Sequence, residues 1–196
     1  HLLLVAGITG LAWQVLRREI SSRPLAGFGC GLFIACASYR LLQLRPSLMS
    51  IAACLALYLI LSASPRLRLR DSAAAVLLCG VWANLHAGFL LGPRLILSSA
   101  IAEGIAGALK ARQSDPRRQH LARAARLALT GAFGLTATLI NPLGMGAHRG
   151  YLSAGFDAVH RGVIADEWRG VDLFSWPLPN LPPTPLPWLC LWILLP

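Results

Sequence analysis

The run SAAAVLLCGVWANLHAGFLLG, residues 72–92, decides how this chain is expected to fold. It contains no Lys, Arg, Asp or Glu. A helix needs roughly 20 mostly apolar residues to cross a hydrocarbon layer about 30 Å thick, and this run is long enough to supply them. Comparable runs lie at about 2–16, 25–44, 47–63, 95–109, 127–140 and 186–195. The expected fold is all-α: a polytopic transmembrane helix bundle of about seven spans. The first and last of these are expected to be truncated, because both chain ends fall inside apolar runs. Residues 1–141 would carry six spans with short loops, 142–185 an outward-facing segment with a surface helix and a Pro-rich connector, and 186–196 the start of a further span.

Composition points the same way. Hydrophobic residues make up 56% of the chain and charged residues 13%, about half the charged share of a soluble domain, so a single water-soluble core is excluded. A net charge of +10 suits nucleic acid in principle, but the basic residues gather in short segments between apolar runs. That is the placement of topology signals, and no nucleic-acid partner is expected. The five cysteines fall in apolar runs without metal or redox spacing and read as small buried hydrophobes.

If the spans alternate in direction, Arg17, Arg18, Arg23, Arg66, Arg68, Arg70, Lys110, Arg112, Arg117, Arg118, Arg123 and Arg126 share one side. The other side keeps Arg40, Arg45, Arg94, Arg149, Arg161 and Arg169. The positive-inside rule makes the first side cytoplasmic and puts 142–185 outside. Arg123 and Arg126, at the start of the sixth span, would snorkel toward headgroups. Gly80, Asn84, Gly88 and Gly92 recur at intervals of four, as do Gly27 and Gly31, which predicts close helix packing.

Candidate chemistry concentrates toward the outer side. Trp82 and His86 are four apart and can share one helix face, with Asn84 pointing roughly the other way. Glu103 is the one acid inside a span and needs a partner. A hairpin turn at Gly92-Pro93-Arg94 would bring it to the depth of His86, so a structural His86–Glu103 pair is expected, with Arg94 as the second candidate. Asn141-Pro142-Leu143-Gly144 reads as a helix stop that aims a following helix, near 146–160, along the membrane surface. Asp166-Glu167-Trp168 with Asp172 places carboxylates and an indole outside the bilayer. There Glu167 would orient a substrate hydroxyl or metal-bound phosphate, and Trp168 would stack on a sugar face or anchor at the interface. His148, Asp157 and His160 are compatible with a divalent metal, but their spacing matches no strong ligand pattern, so no metal site is assigned. Gly-x-Ser-x-Gly, Walker and His-Glu-x-x-His patterns are missing from the sequence.

Taken in order, Arg45-Pro46, Trp82-Ala83-Asn84-Leu85-His86-Ala87-Gly88-Phe89, Asn141-Pro142-Leu143-Gly144 and Glu167-Trp168 with Asp172 resemble a set of bacterial multi-spanning membrane proteins. Those proteins are similar to the C-type glycosyltransferase superfamily, which includes the dolichyl-phosphate-mannose protein mannosyltransferases. The resemblance covers about Arg45 to Phe174. It implies a bacterial inner-membrane protein, a polyprenyl-phosphate-linked sugar as donor, transfer on the outer face and an acidic catalytic residue in the first outward loop. That acid is expected upstream of His1, since the outward loop near Arg40 to Arg45 has no carboxylate. The usual His-Gly-Gly-Phe reads His86-Ala87-Gly88-Phe89 here. On this reading Trp82, Asn84, His86, Asn141, Glu167 and Trp168 border the outer cavity, and Arg94 or Arg149 neutralises phosphate. The rival readings are a transporter or flippase subunit, and a non-catalytic membrane assembly protein.

Overall fold

The computed structural model describes residues 1–42, 46–110 and 115–154. Among them the chain is all-helical, without strands. Seven α-helices follow one another: α1 (Leu2–Glu19), α2 (Arg23–Leu42), α3 (Ser47–Ser62), α4 (Leu69–Ala83), α5 (Leu91–Ala108), α6 (Asp115–Ala137) and α7 (Met145–Ala154). A 3-10 turn, Ala87–Leu90, leads into α5. One stretch, Ala87–Ala108, is long and apolar enough to cross a membrane, and residues 23–38 and 47–62 form shorter apolar helices. Length and charge separate the others from it. The 15 residues of α4 reach only about 22 Å, and α6 carries Arg117, Arg118, Arg123 and Arg126 in its first half. The expected span at 186–195 lies outside the described residues.

The helices pack in sequence-local pairs. α1 lies against α2 and α3, α3 against α4, and both α4 and α5 against α6. Three apolar clusters fill the contacts. Ile8, Leu41 and Leu48 join the first three helices. Leu57, Cys79, Ile96 and Leu127 join α3 to α6. Ala53, Trp82, Phe89 and Leu90 sit at the end where α7 docks. Small residues set the closeness of α5 to α6. A Cβ at Gly131 would come within 2.6 Å of the Leu97 side chain, which is overpacking that a well-fitted interface resists.

The hairpin between α4 and α5 is not at Gly92-Pro93-Arg94, as the sequence suggested, but at Asn84 to His86. Asn84 caps the C-terminus of α4 and its amide nitrogen donates to the Gly80 carbonyl (2.8 Å). His86 turns to extended backbone, and its ring accepts the Gly88 N–H, as an N-cap side chain does. Pro93 then falls in the first turn of α5, where its missing N–H is one that would lack a helical partner anyway. The run 72–92 is therefore two helical pieces and a bend, not one span. The glycine series is broken with it: Gly80 faces α6 and Gly92 faces the Trp82 ring, while Gly31 has open space beside it.

At the opposite end the arginines act as clasps. Arg18 of α1 donates to the Leu59 carbonyl (2.7 Å) and Ser62 Oγ (3.0 Å). Arg123 of α6 donates to the carbonyls of Leu61, Ser64 and Pro65, and Arg126 to that of Arg66. These carbonyls belong to the C-terminus of α3 and the chain leaving it, where helical partners run out and the dipole is negative. Leu67, at φ 47°, holds a left-handed conformation unfavourable for a branched residue, anchored by its fully buried side chain.

Candidate functional site

The α4–α5 bend, the end of α6 and α7 come together at the end of the bundle away from the arginine clasps. Trp82 Nε1–H donates to Ser50 Oγ (2.9 Å), and Ser50 Oγ lies 2.7 Å from His86 Nδ1. Gly88 N–H also points at His86 Nδ1 (3.1 Å). Two donors on one ring nitrogen make it an acceptor, so the neutral imidazole carries its proton on Nε2, and the Ser50 hydroxyl donates to Nδ1. A Cβ at Gly88 would lie 3.0 Å from both Ser50 Oγ and His86 Nδ1. The glycine in His-Ala-Gly-Phe is thus required by close approach. Ser50 was not a candidate from sequence, where it is one hydroxyl in an apolar helix. A signal existed in its proximity to the Trp82 and His86 pair, but that proximity is tertiary.

Next to this relay, His148 of α7 stacks edge-on against Phe89 at 5.0 Å between ring centroids, and its Nε2 lies 3.0 Å from Thr138 Oγ1. Tyr151, one turn further, meets Phe89 and lies beneath the Arg94 guanidinium, 5.8 Å from its ring centroid. Arg94 has no carboxylate partner among the described residues. Asn84 and Asn141 reach the same end but are tied to backbone. Asn84 bridges α4 to the Ile140 carbonyl (2.7 Å). Asn141 donates to the Thr138 carbonyl and accepts the Leu143 N–H (2.8 Å), an Asx turn that forms the helix stop read from sequence. Arg149 is exposed on α7. Glu167, Trp168, Asp157, His160, Asp166 and Asp172 lie outside the described residues. Among the described residues no cluster of three or more His, Cys, Asp or Glu side chains could hold a metal.

The expected His86–Glu103 pair is not formed. With the bend at Asn84 to His86, Glu103 is 12 residues beyond the start of α5, about 18 Å down the helix axis. Its partners are at that depth on α6: His120 Nδ1 is 2.7 Å from Oε2 and Arg123 Nε is 2.8 Å from Oε1. Arg94, the second candidate, is at the opposite end of α5. In a double-mutant cycle, Glu103→Gln with His120→Gln is expected to show a coupling of about 1 kcal/mol. Glu103→Gln with His86→Gln should be additive. Thermal unfolding in detergent measures both, and the reverse pattern would contradict this placement.

No family model, no curated protein and no solved structure matches the chain.

Proposed function

We propose that this is an integral membrane protein of the glycosyltransferase-like kind, of the bacterial inner membrane, whose site at the α4–α5 bend receives a lipid-linked sugar on the outer face. The membrane reading is supported by the amount of large apolar side chain left on the surface, with Leu129 at 60%, Phe133 at 62% and Ile140 at 75% exposure. Only 33% of the Ala87–Ala108 window is buried, whereas the core helix of a soluble protein would be mostly covered. Such contiguous apolar surface needs lipid or partner helices against it. The clustering of Arg17, Arg18, Arg66, Arg68, Arg70, Arg123 and Arg126 at one end supports a cytoplasmic assignment for that end and an outward one for the bend.

The observation that carries the functional reading is the grouping of Arg94 and Tyr151 with the Trp82–Ser50–His86 relay at that outer end. A guanidinium with no carboxylate partner among the described residues suits a phosphate, and the aromatic rings beside it suit a sugar face or a prenyl chain. Glu167 is the candidate for orienting the acceptor hydroxyl, with Trp168 beside it. Asn84 and Asn141 hold the rim, and Arg149 offers further positive charge.

The test is a photo-activatable, radiolabelled polyprenyl-phosphate hexose presented to the protein in proteoliposomes. Labelling should fall about tenfold in Arg94→Gln, the effect of losing one charge-assisted contact, and sugar transfer should stop in Glu167→Gln. Labelling indifferent to Arg94 would remove the site. Passage of intact donor across the bilayer without sugar transfer would favour the transporter or flippase reading.

A further inference from the structure

On the membrane-facing side, α4 and α6 leave a groove of about 820 Å³ between them, walled by Leu69, Val76, Leu129, Phe133 and Ile140. Resting on the membrane reading above, we propose that this groove binds one anionic phospholipid of the inner leaflet, with its phosphate at Arg126 and an acyl tail along the groove. The two helices are held together beneath it at separate points. Thr130 Oγ1 and Ser72 Oγ are hydrogen-bonded at 3.0 Å, and at Gly80 a Cβ would come within 3.5 Å of the Ala137 carbonyl oxygen. Ala73 and Ala137 also line the groove, and being small they leave room that a larger side chain would fill. From Arg126 to Ala137 the groove follows 11 residues of α6, about 17 Å, with Ile140 just past the helix end, which is about the depth of one leaflet of a 30 Å core.

The groove is apolar along its length and charged at one end only. Arg126 lines that end, and its Nη1 is fixed by the carbonyls of Arg66 (2.8 Å) and Leu67 (3.4 Å). Nε and Nη2 have no protein hydrogen-bond partner among the described residues, so a pre-positioned guanidinium faces the mouth with donors to give. The N-terminus of α4 opens beside it at Leu69, adding the positive end of a helix dipole. Arg66, Arg68 and Arg70 are exposed nearby. Among the described residues the acid there is Asp71, and it is engaged: it accepts the Arg68 N–H (3.1 Å) and lies 3.5 Å from Arg70 Nε. An apolar trough ending in an anchored, incompletely bonded cation is complementary to an anionic headgroup with a tail.

The experiment is native mass spectrometry of the full chain released from detergent after equilibration with equal amounts of phosphatidylglycerol and phosphatidylcholine bearing the same tails. One phosphatidylglycerol per chain should be retained at least about tenfold over phosphatidylcholine. Arg126→Gln should abolish the preference and Arg126→Lys should keep most of it. Ala73→Phe, which leaves the charge alone, should reduce retention of both lipids by filling the trough. Equal retention of the two lipids, or a preference unchanged in Arg126→Gln and Ala73→Phe, overturns the inference. So does cross-linking of a Phe133→Cys variant to a second copy or to Cys190 of the same chain, since another helix would then occupy the groove. Alkaline carbonate extraction separates the two readings. A chain that washes off membranes defeats the membrane reading itself, whereas one that stays embedded without lipid preference defeats this site alone.

Discussion

Trp82→Ala is expected to lower the unfolding free energy by about 3 kcal/mol, among the largest losses from a single side chain in this protein. The indole is 1% exposed and packs with Ala53, Phe89 and Leu90. Its ring lies where a Cβ on Gly92 would come within 3.1 Å, so the residue of α5 that faces it has no side chain to fill the space left by truncation. In lipid the transfer part of the loss shrinks, because acyl chains are as apolar as the core. The cavity part stays, and Ser50 loses the donor it accepts from. Trp82→Phe keeps much of the volume and should lose about 1 kcal/mol for the hydrogen bond. Thermal unfolding in a fixed detergent, followed by helical circular dichroism, gives both values. A Trp82→Ala variant as stable as the parent would mean that the α4–α5 bend is not packed as described.

Arg123→Ala should have an effect of similar size, about 3 kcal/mol, at the other end of the bundle. Its guanidinium takes the carbonyls of Leu61, Ser64 and Pro65 and stands against Glu103. Truncation leaves a partly buried carboxylate with His120 alone and takes the guanidinium from three carbonyls at the exit of α3, of which that of Ser64 keeps the Leu67 N–H. The loss should be local as well as global. Amide exchange at Leu67, whose N–H bonds the Ser64 carbonyl (3.1 Å), should accelerate at least tenfold, while amides of α2 remain protected. Arg123→Lys keeps the charge but not the planar fork, and should recover less than half of the loss. If exchange at Leu67 is unchanged in Arg123→Ala, the clasp does not hold the α3–α4 connection.

Helix identity was readable because it depends on local composition. The apolar runs at 2–16, 25–44, 47–63 and 95–109 each contain the body of an observed helix, the run at 127–140 holds the second half of α6, and Asn141-Pro142 lies in the turn that follows the end of α6 at Ala137. The helix after it begins at Met145, and its described part reaches Ala154. The bend was not readable in the same way. Pro93 looks like a turn residue in a string of letters, yet proline is equally at home in the first turn of a helix. What moves the turn to Asn84 is a pair of side chains bonding to backbone, and neither bond has a signature beyond the residues themselves. Once the bend shifted, every depth measured from it shifted, and Glu103 changed partner from His86 to His120.

Ser50 shows the same limit for the site. Trp82 and His86 stood out because an indole and an imidazole are conspicuous in an apolar run, whereas a serine hydroxyl is common in such helices. Its importance comes from lying on α3, more than thirty residues away in sequence, where the Trp82 and His86 rings converge.

Sequence alone determined that the chain is helical, that its surface must be largely apolar and that its arginines segregate, since each follows from how many residues of each kind occur in each short window. Tertiary structure decided where the chain turns, which ring nitrogen of His86 accepts, which basic groups hold Glu103 and how the arginines grip the end of α3. Those outcomes depend on angstrom-scale distances between helices, and hydrogen bonds and ion pairs decay over such distances, so no windowed property of the sequence encodes them.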